Sequence, residues 1–294
     1  MKTVKKIMIL ASIFCVLIVS GCGSQKEAEM SKQFTEGLDQ LGEIHIVSRE
    51  EGSGTRSTFA EMVDFQKNDE GRTDLTSPEA QIADNAEAVM DVVENDASAI
   101  GYISLGALEN AGNIKALAIN GKRAGAGEKA YPLQRTFYLA YSGKLNAAEQ
   151  DFLTYIHGAG QEIVAGSYIP VAKSSIFLSG KPEGEITVGG STSVAPLMEA
   201  LAEGYMARNP NVVITVEASD STDGLTKAME GTFDIGMSSR DLKDYEKELL
   251  DYEAIAEDEI AVIVNADNPL EDISLETLKR IFTGEIQSWE ELNQ

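Results

Sequence analysis

Segments of this sequence concentrate the groups that hold a small oxyanion: a guanidinium, short hydroxyls, and amides freed by glycine. The first is Arg49-Glu50-Glu51-Gly52-Ser53-Gly54-Thr55-Arg56. Its glycines permit a tight turn and close approach of backbone amides to a ligand. Ser53 and Thr55 add hydroxyls at the start of a helix, where the helix dipole favours negative charge. Arg49 can present a planar pair of N–H groups to two oxygens of a tetrahedral anion. A second segment is Gly189-Gly190-Ser191-Thr192-Ser193-Val194-Ala195-Pro196, and a third is Ser219-Asp220-Ser221-Thr222-Asp223-Gly224. Ser238-Ser239-Arg240 forms the fourth. Any one of them is more commonly a cap or a solvated loop. Together on one scaffold they can satisfy the oxygens of an oxyanion at the mouth of a cleft. The first loop is not a Walker loop, because the Gly-Lys-Ser/Thr ending is absent. A serine hydrolase built on Ser53 or Ser193 lacks both a Gly-x-Ser-x-Gly elbow and a base at a supported spacing.

The hydrophobic pattern places these segments between strands and helices. IHIVS (44–48) alternates like a strand before the first loop, and STFAEMVDFQ (57–66) reads as the helix after it. DNAEAVMDVVEND (84–96) gives a helix with Ala88, Val92 and Val89 inward, followed by strands AIGYIS (99–104) and IKALAI (114–119). NGKRAGAGEKA (120–130) breaks the pattern as a surface crossing. RTFYLAYS (135–142) is a strand, and AAEQDFLTYIHG (147–158) is a helix capped by Asn146 that buries Phe152 and Ile156. SGKPEGE (179–185) is a turn or linker. After it, EITV, GGSTSVAP and LMEALAEGYMARN repeat the strand-loop-helix unit, with Leu197, Leu201 and Tyr205 on one face. VVITVEA (212–218), FDIGMS (233–238) and EIAVIVN (259–265) are strands, and SLETLKRIFTGEIQSWEEL is a helix, a glycine turn and a short helix. Such alternation defines the α/β class.

Composition limits the chemistry. Acidic residues outnumber basic ones 48 to 24, for a formal charge of -24 over 294 residues. That balance argues against nucleic acid as a partner, because a polyanion meets net repulsion. A small anion is a different case, since distant surface charge is screened beyond about 10 Å at 0.1 M salt while local donors are not. With only Cys15, Cys22, His45 and His157, a disulfide framework, a zinc cluster and Ser-His-Asp chemistry are poorly supported, and no cofactor or metal is expected. Lys2, Lys5 and Lys6 precede an apolar run from Ile7 to Val19 that ends in Val19-Ser20-Gly21-Cys22. Residues 1–21 therefore read as a secretory signal, too short for a comfortable transmembrane helix. The small residues before Cys22 resemble the lipobox of bacterial lipoproteins. On that resemblance Cys22 is the acylated (palmitate-type) anchor and residues 22–42 form a tether.

In combination, the REEGSGTR loop, the GGSTSVAP loop and the FTGEIQSWEELN ending resemble the phosphate-binding lipoproteins of bacterial high-affinity phosphate ABC importers. The resemblance covers roughly 43–178 and 185–294. It implies a two-lobed type II periplasmic-binding-protein fold with the anion between the lobes. Carried over by motif, Arg49, Ser53, Gly54 and Thr55 bind phosphate from one lobe, and Thr192, Ser193, Ser221 and Ser239 from the other. Glu51 and Asp223 are candidates for orienting Arg49 or approaching the ion to accept the proton of hydrogen phosphate, and Arg56 and Arg240 for orienting loop carboxylates. The implied partners are inorganic phosphate, the permease and ATPase of an ABC importer, and a lipid membrane through Cys22, in a Gram-positive setting by family analogy. Sulfate or another tetrahedral oxyanion, and a non-transport adhesion or signalling role, are the alternatives.

The order of the motifs departs from that family, whose members begin with the segment found here at 185–294. The chain resembles a circular permutation in which 174–185 joins the old termini. One lobe is then split, 43–130 plus 268–294, and the other contiguous, 131–267. Chain crossings near 120–132 and 265–270 would form the hinge. A monomer is the expected state, with a dimer that swaps 268–294 as the alternative.

Overall fold

The computed structural model describes residues 37–67, 73–110, 112–125 and 131–293, so the signal run, Cys22 and most of the tether lie outside the described residues. In chain order, the first stretch forms β1 (His45–Arg49), α1 (Gly54–Met62), β2 (Gln81–Ala83), α2 (Ala86–Asn95), β3 (Ala99–Ser104), β4 (Ile114–Ala116) and β5 (Ala118–Ile119). The middle contributes β6 (Gln134–Tyr141), α3 (Ala147–His157), α4 (Gln161–Ser167), β7 (Ile169–Pro170), β8 (Gly184–Ser191), α5 (Ala195–Met206), β9 (Val212–Ser219), α6 (Ser221–Glu230), β10 (Ile235–Ser238) and α7 (Asp244–Leu249). Last come β11 (Asp251–Asn265), β12 (Asp272–Ile273) and α8 (Leu275–Phe282).

Short polar side chains start these helices. Asn85, Asn146, Asp220 and Ser274 each accept a backbone N–H in the first turn of α2, α3, α6 and α8, satisfying donors that have no intrahelical partner. Asn146 and Glu149 form a full capping box. Gly231, at φ 72, closes α6 in the left-handed region that glycine enters without strain.

Two like units share a sheet ordered β2-β1-β3-β11-β6-β10-β8-β9. In one, β1 runs parallel to β2 and β3; in the other, β8 runs parallel to β9 and β10. Strand β11 passes through both, pairing antiparallel with β6 over residues 251–259 and with β3 over 260–264. Its second half is nearly all apolar because both faces are covered. Ile260, Val262 and Val264 enter one core with Phe59, Tyr102, Phe282 and Trp289, while Ala261 and Ile263 enter another with Val47, Val89 and Val93. The other lobe has its own core, in which Phe137, Phe152, Ile156, Val188, Leu197, Leu201 and Tyr205 pack between sheet and helices. The molecule is thus a two-lobed α/β structure.

Two details differ from the expectations drawn from the sequence. Strand β11 begins eight residues before Glu259, at Asp251, because charged residues of its first half have partners on β6. Residues 260–265 of the same strand pair with β3 and β4, so β11 leaves its pairing with β6 near 259–260 and not at the end of the strand. In α2 it is Val89 and Val93 that are fully buried, against β3, whereas Ala88 and Val92 are half-buried.

The C-terminal segment closes onto the beginning of the described chain. Ile44 N donates to Gln287 O at 2.8 Å, and Trp289 N donates to Gly42 O at 3.0 Å. The Trp289 indole is fully buried and its Nε1 donates to Ser98 O at 2.9 Å. Trp289→Ala should therefore cost about 3–5 kcal/mol of unfolding free energy, read by urea denaturation in one fixed buffer. A loss below about 0.5 kcal/mol, the size of an ordinary surface substitution, would mean that this segment does not complete the core in solution.

Candidate functional site

The hydroxyl-rich segments sit at the carboxyl ends of β1, β8, β9 and β10, the edge of a parallel α/β sheet where ligands bind. Two arrive from opposite lobes and touch. Thr55 Oγ1 lies 2.7 Å from Ser193 Oγ, and Arg49 Nη2 donates to Thr192 Oγ1 at 2.8 Å. Thr222 Oγ1 donates to Gly52 O at 3.3 Å, and Thr58 Oγ1 to Ser239 O at 3.3 Å. Within the second lobe, Ser191 Oγ donates to Ser239 Oγ at 2.8 Å, and Ser239 N donates to Ser221 Oγ at 3.1 Å. Ser53 caps α1 by accepting from Arg56 N. Gly54 abuts the opposite lobe: a Cβ there would overlap Ser221 Oγ and come within 2.5 Å of Ser239 Oγ. The motif residues named from the sequence are therefore gathered in one place, and Ser53, Thr55, Ser193, Ser221 and Ser239 are buried.

Arg49 is the charge at the centre of this arrangement. Its side chain is buried, with Nε and Nη2 on the Glu50 carboxylate at 2.8 and 2.7 Å. Its Nη1 is buried with no acceptor. An unsatisfied guanidinium N–H inside protein is costly, and an anion oxygen would remove that cost. Beneath it, the Tyr102 hydroxyl accepts from Arg49 N at 3.3 Å and shares a 2.8 Å hydrogen bond with Ser48 Oγ, fixing the base of the loop. Burial pushes the Tyr102 phenol up to about 12, so it stays a neutral partner.

The flanking arginines are held by carboxylates rather than aimed at the cleft. Arg56 places Nε and Nη2 on Asp74 at 2.7 and 3.0 Å, and its Nη1 donates to Arg49 O at 3.0 Å. Arg240 makes two 2.8 Å hydrogen bonds to Glu246, and its Nη2 reaches Thr222 Oγ1 at 3.2 Å. Burial alone would raise Asp74 and Glu246, but the guanidinium contacts outweigh it and hold both carboxyls below their ordinary values. Two candidates named from the sequence need correction. Glu50, not Glu51, orients Arg49; Glu51 is exposed. Asp223 pairs with Lys227 at 2.9 Å, one turn along α6, and the cap beside the site is Asp220.

One buried pair is not apparent from the sequence motifs. Arg135 and Asp258 face each other across β6 and β11, and Arg135 Nε donates to Asp258 Oδ2 at 2.9 Å. Arg135 Nη1 donates to Thr55 Oγ1 at 2.7 Å and lies 3.4 Å from Ser239 O. Its Nη2 is 2.8 Å from Asp258 Oδ2 but not aligned for a hydrogen bond. Ser104 Oγ holds the other carboxylate oxygen at 2.9 Å. Burial pulls the guanidinium down and the carboxyl up, while each charge opposes the shift of the other. The available signal was an arginine opening a strand, RTFYLAYS, and an aspartate just ahead of the apolar run EIAVIVN. Among the described residues, no group of His, Cys, Asp and Glu is placed to hold a metal ion, and no helix is long and apolar enough to cross a membrane.

Comparison with known proteins identifies the family. The PBP superfamily domain matches residues 16–159 and 178–294. "Phosphate-binding protein PstS 2" of Streptococcus pneumoniae is 39% identical, covering 98% of this chain and 99% of its own. The crystal structure of a phosphate-binding protein of a phosphate ABC transporter from Streptococcus pneumoniae superimposes with a TM-score of 0.70 at 40% identity, covering 85% of this chain and 100% of that one. "Phosphate-binding protein PstS" of Bacillus subtilis is 41% identical over 117 residues, 38% of each chain. The family model over most of the chain, together with 39% identity along nearly the whole length of the pneumococcal relative, places the chain in the PBP superfamily, among the phosphate-binding proteins of the PstS family.

Proposed function

We propose that the chain binds inorganic phosphate outside the cytoplasm and delivers it to the permease and ATPase of an ABC importer, performing no chemistry on the ion. The observation that carries this reading is the buried Arg49 Nη1, without an acceptor, amid hydroxyls contributed by both lobes. Closing the lobes over the ion exchanges its hydration shell for guanidinium, hydroxyl and amide donors. Hydrogen phosphate also needs an acceptor for its proton. Glu50, Asp74, Glu246 and Asp258 are committed to arginines, so we assign that acceptor to a serine hydroxyl, Ser239 Oγ. Ser53, Gly54, Thr192 and Ser221 complete the proposed contacts.

The test is calorimetric titration of ion-free, refolded protein with phosphate and with sulfate at pH 6 and pH 8. Phosphate should bind with one-to-one stoichiometry, and sulfate, which has no proton to donate, about tenfold more weakly. No phosphate binding defeats the reading, and equal affinities would make the site a general one for tetrahedral oxyanions.

We further read the chain as a circular permutation of the usual order, with 43–130 plus the C-terminal segment as the split lobe and the middle as the contiguous one. A nearly end-to-end match to one relative beside a match over 38% of another supports that reading. So does the contact between Gly42–Ile44 and Gln287–Trp289, since permutation requires neighbouring ends. We read the protein as a monomer whose C-terminal segment meets Gly42–Ile44 of its own chain; a dimer that swaps 268–294 is the alternative, and the mass in solution distinguishes the two. Cys22 would carry the lipid anchor, in the Gram-positive setting of the streptococcal relatives.

A further inference from the structure

Arg135 occupies a place in the floor of the cleft that the recognition loops do not explain. Its side chain is buried, and the guanidinium touches Thr55 of one lobe and the Ser239 carbonyl of the other. Its position is fixed from behind, because Asp258 is its direct register partner and is itself held by Ser104. A threonine hydroxyl has one proton to give and lone pairs to receive with, whereas a guanidinium can only give. The 2.7 Å contact from Arg135 Nη1 therefore occupies one of the two lone pairs of Thr55 Oγ1 and turns its proton away from the guanidinium. The hydroxyl proton must then point elsewhere, to Ser193 Oγ at 2.7 Å or to an oxygen bound between the lobes.

We propose that Arg135 is a positioning residue for oxyanion recognition, orienting the Thr55 hydroxyl so that its proton faces the bound ion. The inference rests on the phosphate-binding reading above. Asp258 makes the device workable: it neutralises a second buried guanidinium that would otherwise stand unpaired near Arg49. Without Arg135 the Thr55 hydroxyl can rotate away from the orientation that presents its proton to the ion.

The experiment titrates inorganic phosphate into ion-free wild type, R135Q/D258N, T55V and the triple variant. The double change is used because removing one partner alone would strand a buried charge. R135Q/D258N and T55V should each bind phosphate about tenfold more weakly. The triple variant should be little weaker than either, because both changes remove the same donor. Wild-type affinity in the folded double variant, or losses that multiply in the triple, overturns the proposal. If R135Q/D258N does not fold, R135K decides: a lysine can balance Asp258 but lacks the fork that also reaches Thr55, so its affinity should fall several-fold with the melting temperature retained. Wild-type affinity in R135K overturns the proposal equally. Absence of phosphate binding in the wild type defeats the functional reading and this inference with it, whereas normal wild-type binding with unaffected variants defeats the inference alone.

Discussion

Arg49→Ala should abolish high-affinity phosphate binding, with a loss of about 100-fold or more in calorimetric titration of the ion-free protein. Each hydrogen bond to a charged group contributes about 1.5–3 kcal/mol, and Arg49 Nη1, whose two N–H groups have no acceptor while Nε and Nη2 hold Glu50, can offer two to an oxyanion. About 1.4 kcal/mol is a factor of ten, which puts the combined loss between about 100- and 10,000-fold. The variant should remain folded, because the carboxylate it frees, Glu50, is partly exposed and can be solvated. Arg49→Lys separates charge from geometry: a point charge restores attraction without the planar fork, so its affinity should fall between the two. A folded Arg49→Ala protein that binds phosphate like wild type would remove Arg49 from the site.

Gly54→Ala should uncouple folding from closure. Gly54 is the first residue of α1, where alanine is the better helix former, so the ion-free protein should melt no lower than wild type. With the lobes together, however, the added methyl would overlap Ser221 Oγ, approach Ser239 Oγ to 2.5 Å and stand 3.1 Å from the Ser239 carbonyl carbon. Both hydroxyls are buried and hydrogen-bonded, so neither can swing aside without leaving a partner. Overpacking of this kind costs about 1–3 kcal/mol, or up to about 100-fold in affinity. Small-angle scattering supplies an independent reading: wild type should contract on adding phosphate, and Gly54→Ala should contract less. Full contraction with wild-type affinity would show that the lobes tolerate the extra atom at their contact.

Local chemistry was legible in the sequence where a residue acts through its neighbours along the chain. Asn146 announced α3, and the glycine turn between α8 and Trp289 is present, with Gly284 at φ 79. The hydroxyl loops could be read because strand, glycine and helix start follow one another within a few residues. Long-range partners were not legible. Arg135 and Asp258 are far apart in sequence and meet only through the register of β6 and β11. The same holds for Glu50 against Glu51: two adjacent carboxylates are equivalent on paper, and the turn at Gly52, with φ 92, exposes one and holds the other on Arg49. IKALAI read as one strand because its residues are mostly apolar, yet β4 joins β11 and β5 joins β12.

Strand β11 restricts how the lobes can move. A flexible loop between lobes would permit sliding, tilting and rotation alike, but this connection is hydrogen-bonded to β6 on one stretch and to β3 on the next. Sliding one lobe along the strand would break a ladder of bonds, whereas twisting the strand about its own length preserves them. The irregularity between Ala254 and Ala256 interrupts the ladder within the β6 stretch alone. The strand thus acts as an axle, leaving torsion as the inexpensive motion and bringing the same residues face to face on every closure.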